Sequence, residues 1–245
     1  MNNRTLKNLA VWVEQILEKI ANLLLPKEKK VQLLEKLGPD GLFANIPRAE
    51  NFDIDTDKIK AIFNYKTVLC RQAIWEIKYR ANKKLIRDFS LLLYDFILEE
   101  LTDLQTFHNF RNIILLPIPS TPTRLKEKGF NQCILICQEL IKIDQERNGQ
   151  TFAMAKDFLL KKVDTARQSH VSNRKTRLKN VVNTFVVNKT SGQGLALSDP
   201  KKCQSLSFLI IDDVITTGAT MNEAFRALHQ AGIPPRKIRG YALAH

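Results

Sequence analysis

The stretch Phe208-Leu-Ile-Ile-Asp212-Asp213-Val-Ile-Thr216-Thr217-Gly218-Ala219-Thr220 decides how this chain is read. An apolar run over Leu206 to Ile211 ends in two adjacent acids. A turn of Thr and Gly follows, and Met221 to Ala231 carries a helical pattern. That order predicts a buried parallel strand, a phosphate-sized loop and a helix N-terminus. Backbone N–H groups from Thr216 to Thr220 converge on an anion in such a loop, and the hydroxyls of Thr216, Thr217 and Thr220 add donors. Gly218 lets the backbone approach closely. Asp212 and Asp213 would repel the phosphate itself. They suit a neighbouring group with hydroxyls to donate, such as ribose. The pattern therefore points to a sugar 5-phosphate bound at the carboxyl ends of an open α/β sheet. A strand ending in an ordinary Asp-rich helix cap is the plainer reading, but a cap needs one acid and no Thr-Thr-Gly.

Working outward, strands alternate with helices from residue 112 onward. Asn112 to Leu116 reads as a buried strand leading into a Pro117–Phe130 loop, and Phe130 to Gln145 as the next helix. Phe158 to Val163 and Asn183 to Val187 read as a strand pair around a long basic loop. Lys237 to Leu243 is the last strand. Upstream, Ile59 to Tyr65 reads as a strand, with helices over Thr67 to Arg80 and Lys83 to Leu104. The pattern predicts an α/β fold with a mostly parallel sheet flanked by helices. Any lid on the acceptor side is expected from residues before about 105, because the chain ends two residues past its last predicted strand.

The amino-terminal part reads differently. Leu6, Leu9, Val13, Ile16, Ile20 and Leu24 form a helical stripe over residues 5–25. Pro26 opens a second helix, Lys27 to Leu37, ended by Gly38, and Pro39 to Asp57 reads as irregular. This divides the chain into an amino-terminal helical segment, 1–56, and an α/β domain, 57–245.

The bulk composition sets limits. With 245 residues, 44% hydrophobic and 26% charged, the chain has the make-up of a globular protein with one substantial core. Thirty-eight Lys and Arg against 25 Asp and Glu give a net charge of +13, which attracts polyanions. The four cysteines include no Cys-x-x-Cys pair. Cys133 and Cys137 share one helix face, where packing is the expected role. Free thiols, the lack of a secretory leader pattern and the shortness of the apolar runs make a cytoplasmic location without a membrane span the expectation.

The acid pair with its Thr-Thr-Gly-x-Thr turn resembles the 5-phosphoribosyl-1-pyrophosphate (PRPP) motif of the type I phosphoribosyltransferases. Three further pieces resemble the ComF family, competence-associated phosphoribosyltransferase-like proteins. They are Leu116-Pro-Ile-Pro119 with Arg124-Leu-Lys-Glu-Lys-Gly-Phe-Asn-Gln132, then Ala166-Arg-Gln168 with Arg174 and Asn180, then Ile74-Trp-Glu-Ile-Lys-Tyr79. The resemblance spans about residues 60–245 and implies a type I phosphoribosyltransferase-like sheet with an amino-terminal helical appendage. It implies PRPP as substrate, Mg²⁺ held by Asp212 and Asp213, and phosphoribosyl transfer with release of pyrophosphate. Thr216, Thr217, Gly218, Ala219 and Thr220 would then hold the 5-phosphate. Pro119, Ser120, Thr121, Arg124, Lys126 and Lys128 would line the pyrophosphate side, and Arg167, Gln168 and Arg174 would belong to a closing lid. Trp75 and Tyr79 read as core positions, and Gly129-Phe-Asn-Gln132 as the start of a helix rather than a substrate contact.

The family's four-cysteine zinc module has no counterpart here, since no cysteine precedes Cys70 and no histidine precedes His108. No zinc is therefore expected. Two alternatives stand beside the transferase. One is a non-catalytic single-stranded DNA-handling protein in competence or DNA uptake, with a competence helicase as partner. The other is a PRPP-sensing regulator. No residue pattern specifies the acceptor.

Overall fold

The computed structural model describes residues 27–49, 58–161, 184–188 and 205–245. A five-stranded, all-parallel sheet forms its centre. The strands are β1 (Ile59–Phe63), β2 (Ile113–Pro117), β3 (Phe152–Met154), β6 (Ser207–Val214) and β7 (Ile238–Ala244), in the order β1-β7-β6-β2-β3. A separate antiparallel pair joins β4 (Leu159–Lys161) to β5 (Phe185–Val187), with Leu160 opposite Val186. Helices cover both faces, as a parallel sheet requires. They are α1 (Lys27–Asn45), α2 (Val68–Arg80), α3 (Lys83–His108), α4 (Pro122–Lys128), α5 (Gln132–Glu146) and α6 (Ala219–Gln230).

The central strand β6 shows why the sheet is buried on both sides. Its side chains alternate. Leu209 and Ile211 enter a core shared with α1, α2, α3 and α5, while Phe208 and Ile210 enter a second core with α6 and the β4–β5 pair. Asp212 and Asp213 continue that alternation and so face opposite ways at the strand's end. In register, Leu116 lies beside Ile210 and Pro117 beside Ile211, so the loops after β2 and β6 leave the sheet side by side.

Several sequence expectations change. The helix beginning at Lys27 breaks at Gly38 as expected, at φ 63° and ψ −176°, but a second helical stretch follows at once from Pro39 to Asn45. The supposed irregular segment is thus helical in its first part. Its Leu34, Leu42 and Ile46 share a buried cluster with Phe63, Leu209 and Tyr241. Residues 47–49 then run antiparallel along β1, through Ala49 N–H to the Ile62 carbonyl at 2.8 Å and Asn64 N–H to the Pro47 carbonyl at 2.8 Å. Strand β6 extends to Val214, so the two acids lie within it. The Pro117–Phe130 loop contains α4, capped by Thr121 and opened by Pro122. Strand β3 was absent from the sequence reading.

The amphipathic stripe at 5–25, the long basic loop and the lid candidates Arg167, Gln168 and Arg174 lie outside the described residues. Among the described residues, no helix is long and apolar enough to cross a membrane.

Candidate functional site

The site forms where β6 ends between the N-termini of α5 and α6. Asp212 is 8% exposed and Asp213 is 3% exposed. Two adjacent buried acids need compensation. Part of it is local: Asp213 N–H donates to Asp212 Oδ1 at 2.9 Å, and Val214 N–H donates to Asp213 Oδ1 at 3.0 Å. The rest comes from far along the chain. Lys78, near the end of α2, places Nζ 3.2 Å from Asp213 Oδ2. Gln132, the first residue of α5, donates from Nε2 to the same oxygen at 3.2 Å. The Cys133 thiol points at Asp212 Oδ1 from 3.6 Å.

These contacts set the ionisation of the site. Burial first, and the neighbouring Asp213 charge second, push the Asp212 carboxyl well above the usual range. Burial also pushes the Cys133 thiol far up, helped by both carboxylates, so it stays protonated. Burial would lower Lys78, but the charge and hydrogen bond of Asp213 outweigh it and hold the ammonium above its ordinary value.

Asn131 explains why α5 starts here. Its Oδ1 accepts from Cys133 N–H at 2.9 Å as the helix cap, while its Nδ2 donates to the Ile118 carbonyl at 2.9 Å. One side chain thus ties the helix to the loop leaving β2. Ile118 N–H also continues the ladder to the Ile211 carbonyl at 3.0 Å. Pro119 and Ser120 follow half-buried, and Thr121 is buried. The hydroxyl of Thr121 accepts from Arg124 N–H at 3.3 Å. Because α4 is helical, Arg124 and Lys128 share a face and Lys126 lies about 160° away from them around the axis. The three cations therefore do not converge. Lys128 is half-buried over the Tyr79 ring, 4.5 Å from its centroid. Burial, then Lys78, lower its pKa.

On the other side of the acids, Thr216, Thr217 and Gly218 form the turn into α6. Gly218 adopts φ 71° as the helix N-cap and supplies no side-chain cap. A left-handed cap at this point suits glycine and leaves the first-turn N–H groups facing outward. Thr217 Oγ1 accepts one of them, from Ala219, at 3.4 Å. Ala219 and Thr220 lie in the first turn rather than in the loop.

The structure thus brings the acid pair, the Thr216–Thr220 turn and the Pro119–Thr121 loop to one edge. It also places there four residues that the sequence reading gave no site role: Lys78, Tyr79, Gln132 and Cys133. Lys78 and Tyr79 close the Ile-Trp-Glu-Ile-Lys-Tyr piece, and Gln132 closes the Gly-Phe-Asn-Gln piece. Those motifs were the available signal. Trp75 and Tyr79 are not core. They are 38% and 52% exposed.

No protein-family model matches the chain, and no curated protein matches it at a significant level.

Proposed function

We propose that this protein binds PRPP at the carboxyl edge of β6 and transfers its phosphoribosyl group to a nitrogen acceptor. The observation that carries the reading is the buried Asp212–Asp213 pair directly ahead of an outward-facing helix N-terminus. The acids accept hydrogen bonds from ribose hydroxyls. The N–H groups and hydroxyls of Thr216 to Thr220 hold the 5-phosphate. The loop from Pro119 to Thr121, with Arg124 and Lys128 beside it, takes the pyrophosphate end. In the reaction the acceptor nitrogen forms a bond to C1 of the ribose. The C1–O bond breaks, its electron pair leaves with pyrophosphate, and the acceptor's proton passes to solvent. The developing positive charge on the ring resembles that in glycoside cleavage, and carboxylates near it lower its energy.

The donor set fits a hard divalent cation. Two carboxylates supply oxygen, and a protonated Cys133 offers no soft ligand. Lys78 already neutralises one oxygen of Asp213, so the fit is to Mg²⁺ arriving with its diphosphate. Mg²⁺ would neutralise the leaving group's charge when bound.

Single-stranded DNA binding would need a free basic face, and five basic residues lie at 78–87. Most of these are paired: Lys78 with Asp213, Arg80 with Glu76, Lys84 with Asp88, and Arg87 with Glu139 and Glu146. They do not form a free basic face, which favours the PRPP reading.

Calorimetry with PRPP and Mg²⁺ tests the proposal, followed by pyrophosphate release with a panel of nitrogen bases. Saturable binding is expected, weakened by about 1–3 kcal/mol in Asp213→Asn, the loss typical of a charge-assisted hydrogen bond. Absence of binding at millimolar PRPP would remove the reading.

A further inference from the structure

The outer face of α2 carries an aromatic shelf beside the acid pair. Trp75 and Tyr79, one helical turn apart, put their ring centroids 5.5 Å from each other at 38°. Both are exposed, although large aromatics on a helix usually turn inward. Each carries a cation. The Arg80 guanidinium lies 5.0 Å from the Trp75 ring, and the Lys128 ammonium lies 4.5 Å from the Tyr79 ring.

The shelf is continuous with the site. Lys78, adjacent to Tyr79, contacts Asp213 at 3.2 Å. The charge of Lys128 is felt by, and responds to, both Lys78 and Asp213. Aromatic rings, then two ammonium groups, then the buried acids therefore follow one another along one edge.

We infer that Trp75 and Tyr79 form the stacking surface for a planar, nucleobase-sized nitrogen heterocycle, the acceptor of the transfer, an inference that rests on the PRPP reading. The chemistry matches on three counts. Ring faces take ring faces, the base stacking where a cation now lies over each ring. Arg80 and Lys128 at the two ends donate to the oxygen and nitrogen atoms that rim a base. The position puts a stacked ring next to the groups that hold the ribose, where its nitrogen can reach C1.

The test uses Trp75 as its own reporter. The chain has two tryptophans, so Trp12→Phe leaves Trp75 as the only source of indole fluorescence. Adenine, hypoxanthine, cytosine, uracil and nicotinamide are titrated into this variant, with and without PRPP and Mg²⁺. At least one should quench Trp75 saturably. Adding Tyr79→Ala should weaken that binding about ten-fold, the usual scale for losing one base–aromatic stack, while Tyr79→Phe should retain it. PRPP affinity, measured separately by calorimetry, should be retained in Tyr79→Phe, which keeps the ring beneath Lys128. Failure of PRPP binding in the parent would instead overturn the functional reading and leave base quenching as an independent result. Absence of quenching by every base at millimolar concentration overturns the shelf as a base site. So does equal affinity in Tyr79→Ala. Quenching by single-stranded oligonucleotides alone also overturns it, and would assign the shelf to a polymer.

Discussion

Replacing Lys78 with Met keeps the aliphatic stem and removes only the ammonium, so it isolates the charge that faces Asp213. At 3.2 Å, two unit charges attract by about 5 kcal/mol at an effective dielectric of about 20. Desolvation of the lysine, whose side chain is 29% exposed, offsets part of that. The loss also has a ceiling. A stranded carboxylate can take a proton, which at pH 7 costs about 4 kcal/mol for a group that ionises near pH 4 when unfolded. The variant should therefore be less stable than the parent by about 2–4 kcal/mol at pH 7. At pH 4 the proton is nearly free, and the loss should shrink to under about 1 kcal/mol. In the parent, the folded pKa of Lys78 is raised. Its contribution is complete below the unfolded lysine value and disappears only as pH rises through the folded one. Both measurements thus fall where the parent has the full benefit. Urea unfolding followed by circular dichroism at the two pH values provides the numbers. An equal loss at pH 4 and pH 7 would show that Lys78 acts through packing and would refute the electrostatic account.

The neighbouring acid should behave in the opposite sense. Because the folded pKa of Asp212 is raised, the native state binds a proton that the unfolded state releases. Stability therefore falls as pH rises from about 4, the unfolded carboxylate value. Asp212→Asn should add about 1–2 kcal/mol at pH 8 and nothing at pH 4, while abolishing PRPP binding. A variant no more stable than the parent at pH 8 in thermal melts would contradict this. PRPP affinity with Mg²⁺ in the parent should rise between pH 6 and pH 8 as that proton is shed, and calorimetry in buffers of different ionisation enthalpy should register its release. A flat profile would mean that Asp212 does not meet the ligand as a carboxylate. Asn131→Ala removes both the α5 cap and the tie to Ile118, and should cost about 1–2 kcal/mol in urea unfolding. Little change would mean that the loop after β2 holds its own shape.

What could be read from the sequence was what is local. The β6–turn–α6 unit announces itself through an apolar run, glycine and threonine, all within a dozen positions. Strand β3 has three residues, too few to show a period. Helix α4 has seven residues and buries none of them, so no apolar stripe marked it. Its Thr121-Pro122 start was visible, but the surrounding prolines and cations suggested a loop. The α2 error has another cause. Periodicity showed that Trp75 and Tyr79 share a face, and large aromatics favour the core. Which face the sheet covers depends on Cys70, Ala73, Ile74 and Ile77 meeting their partners, which is a tertiary matter. The partners of the acid pair were hidden for the same reason, since Gln132 reaches Asp213 across 81 positions.

The arrangement of the acids argues for a ligand on energetic grounds alone. Two adjacent buried carboxylates destabilise a fold, and an apolar pair of similar size at the end of β6 would be the more stable choice. The chain instead commits Lys78, Gln132 and two main-chain N–H groups to holding them. Gln132 spends its amide N–H on Asp213, while its Oε1 is buried with no hydrogen-bond partner. A lone buried acceptor costs about 1–3 kcal/mol. Turning the amide would place oxygen against carboxylate, so the side chain cannot satisfy both ends by itself. A donor arriving from outside relieves it. A ribose does so with one hydroxyl while a second donates to the acids, and a ligand offering only negative charge does not. That asymmetry is what a site selective for the hydroxyl-bearing part of a sugar phosphate requires, with the anion left to the threonine turn beside it.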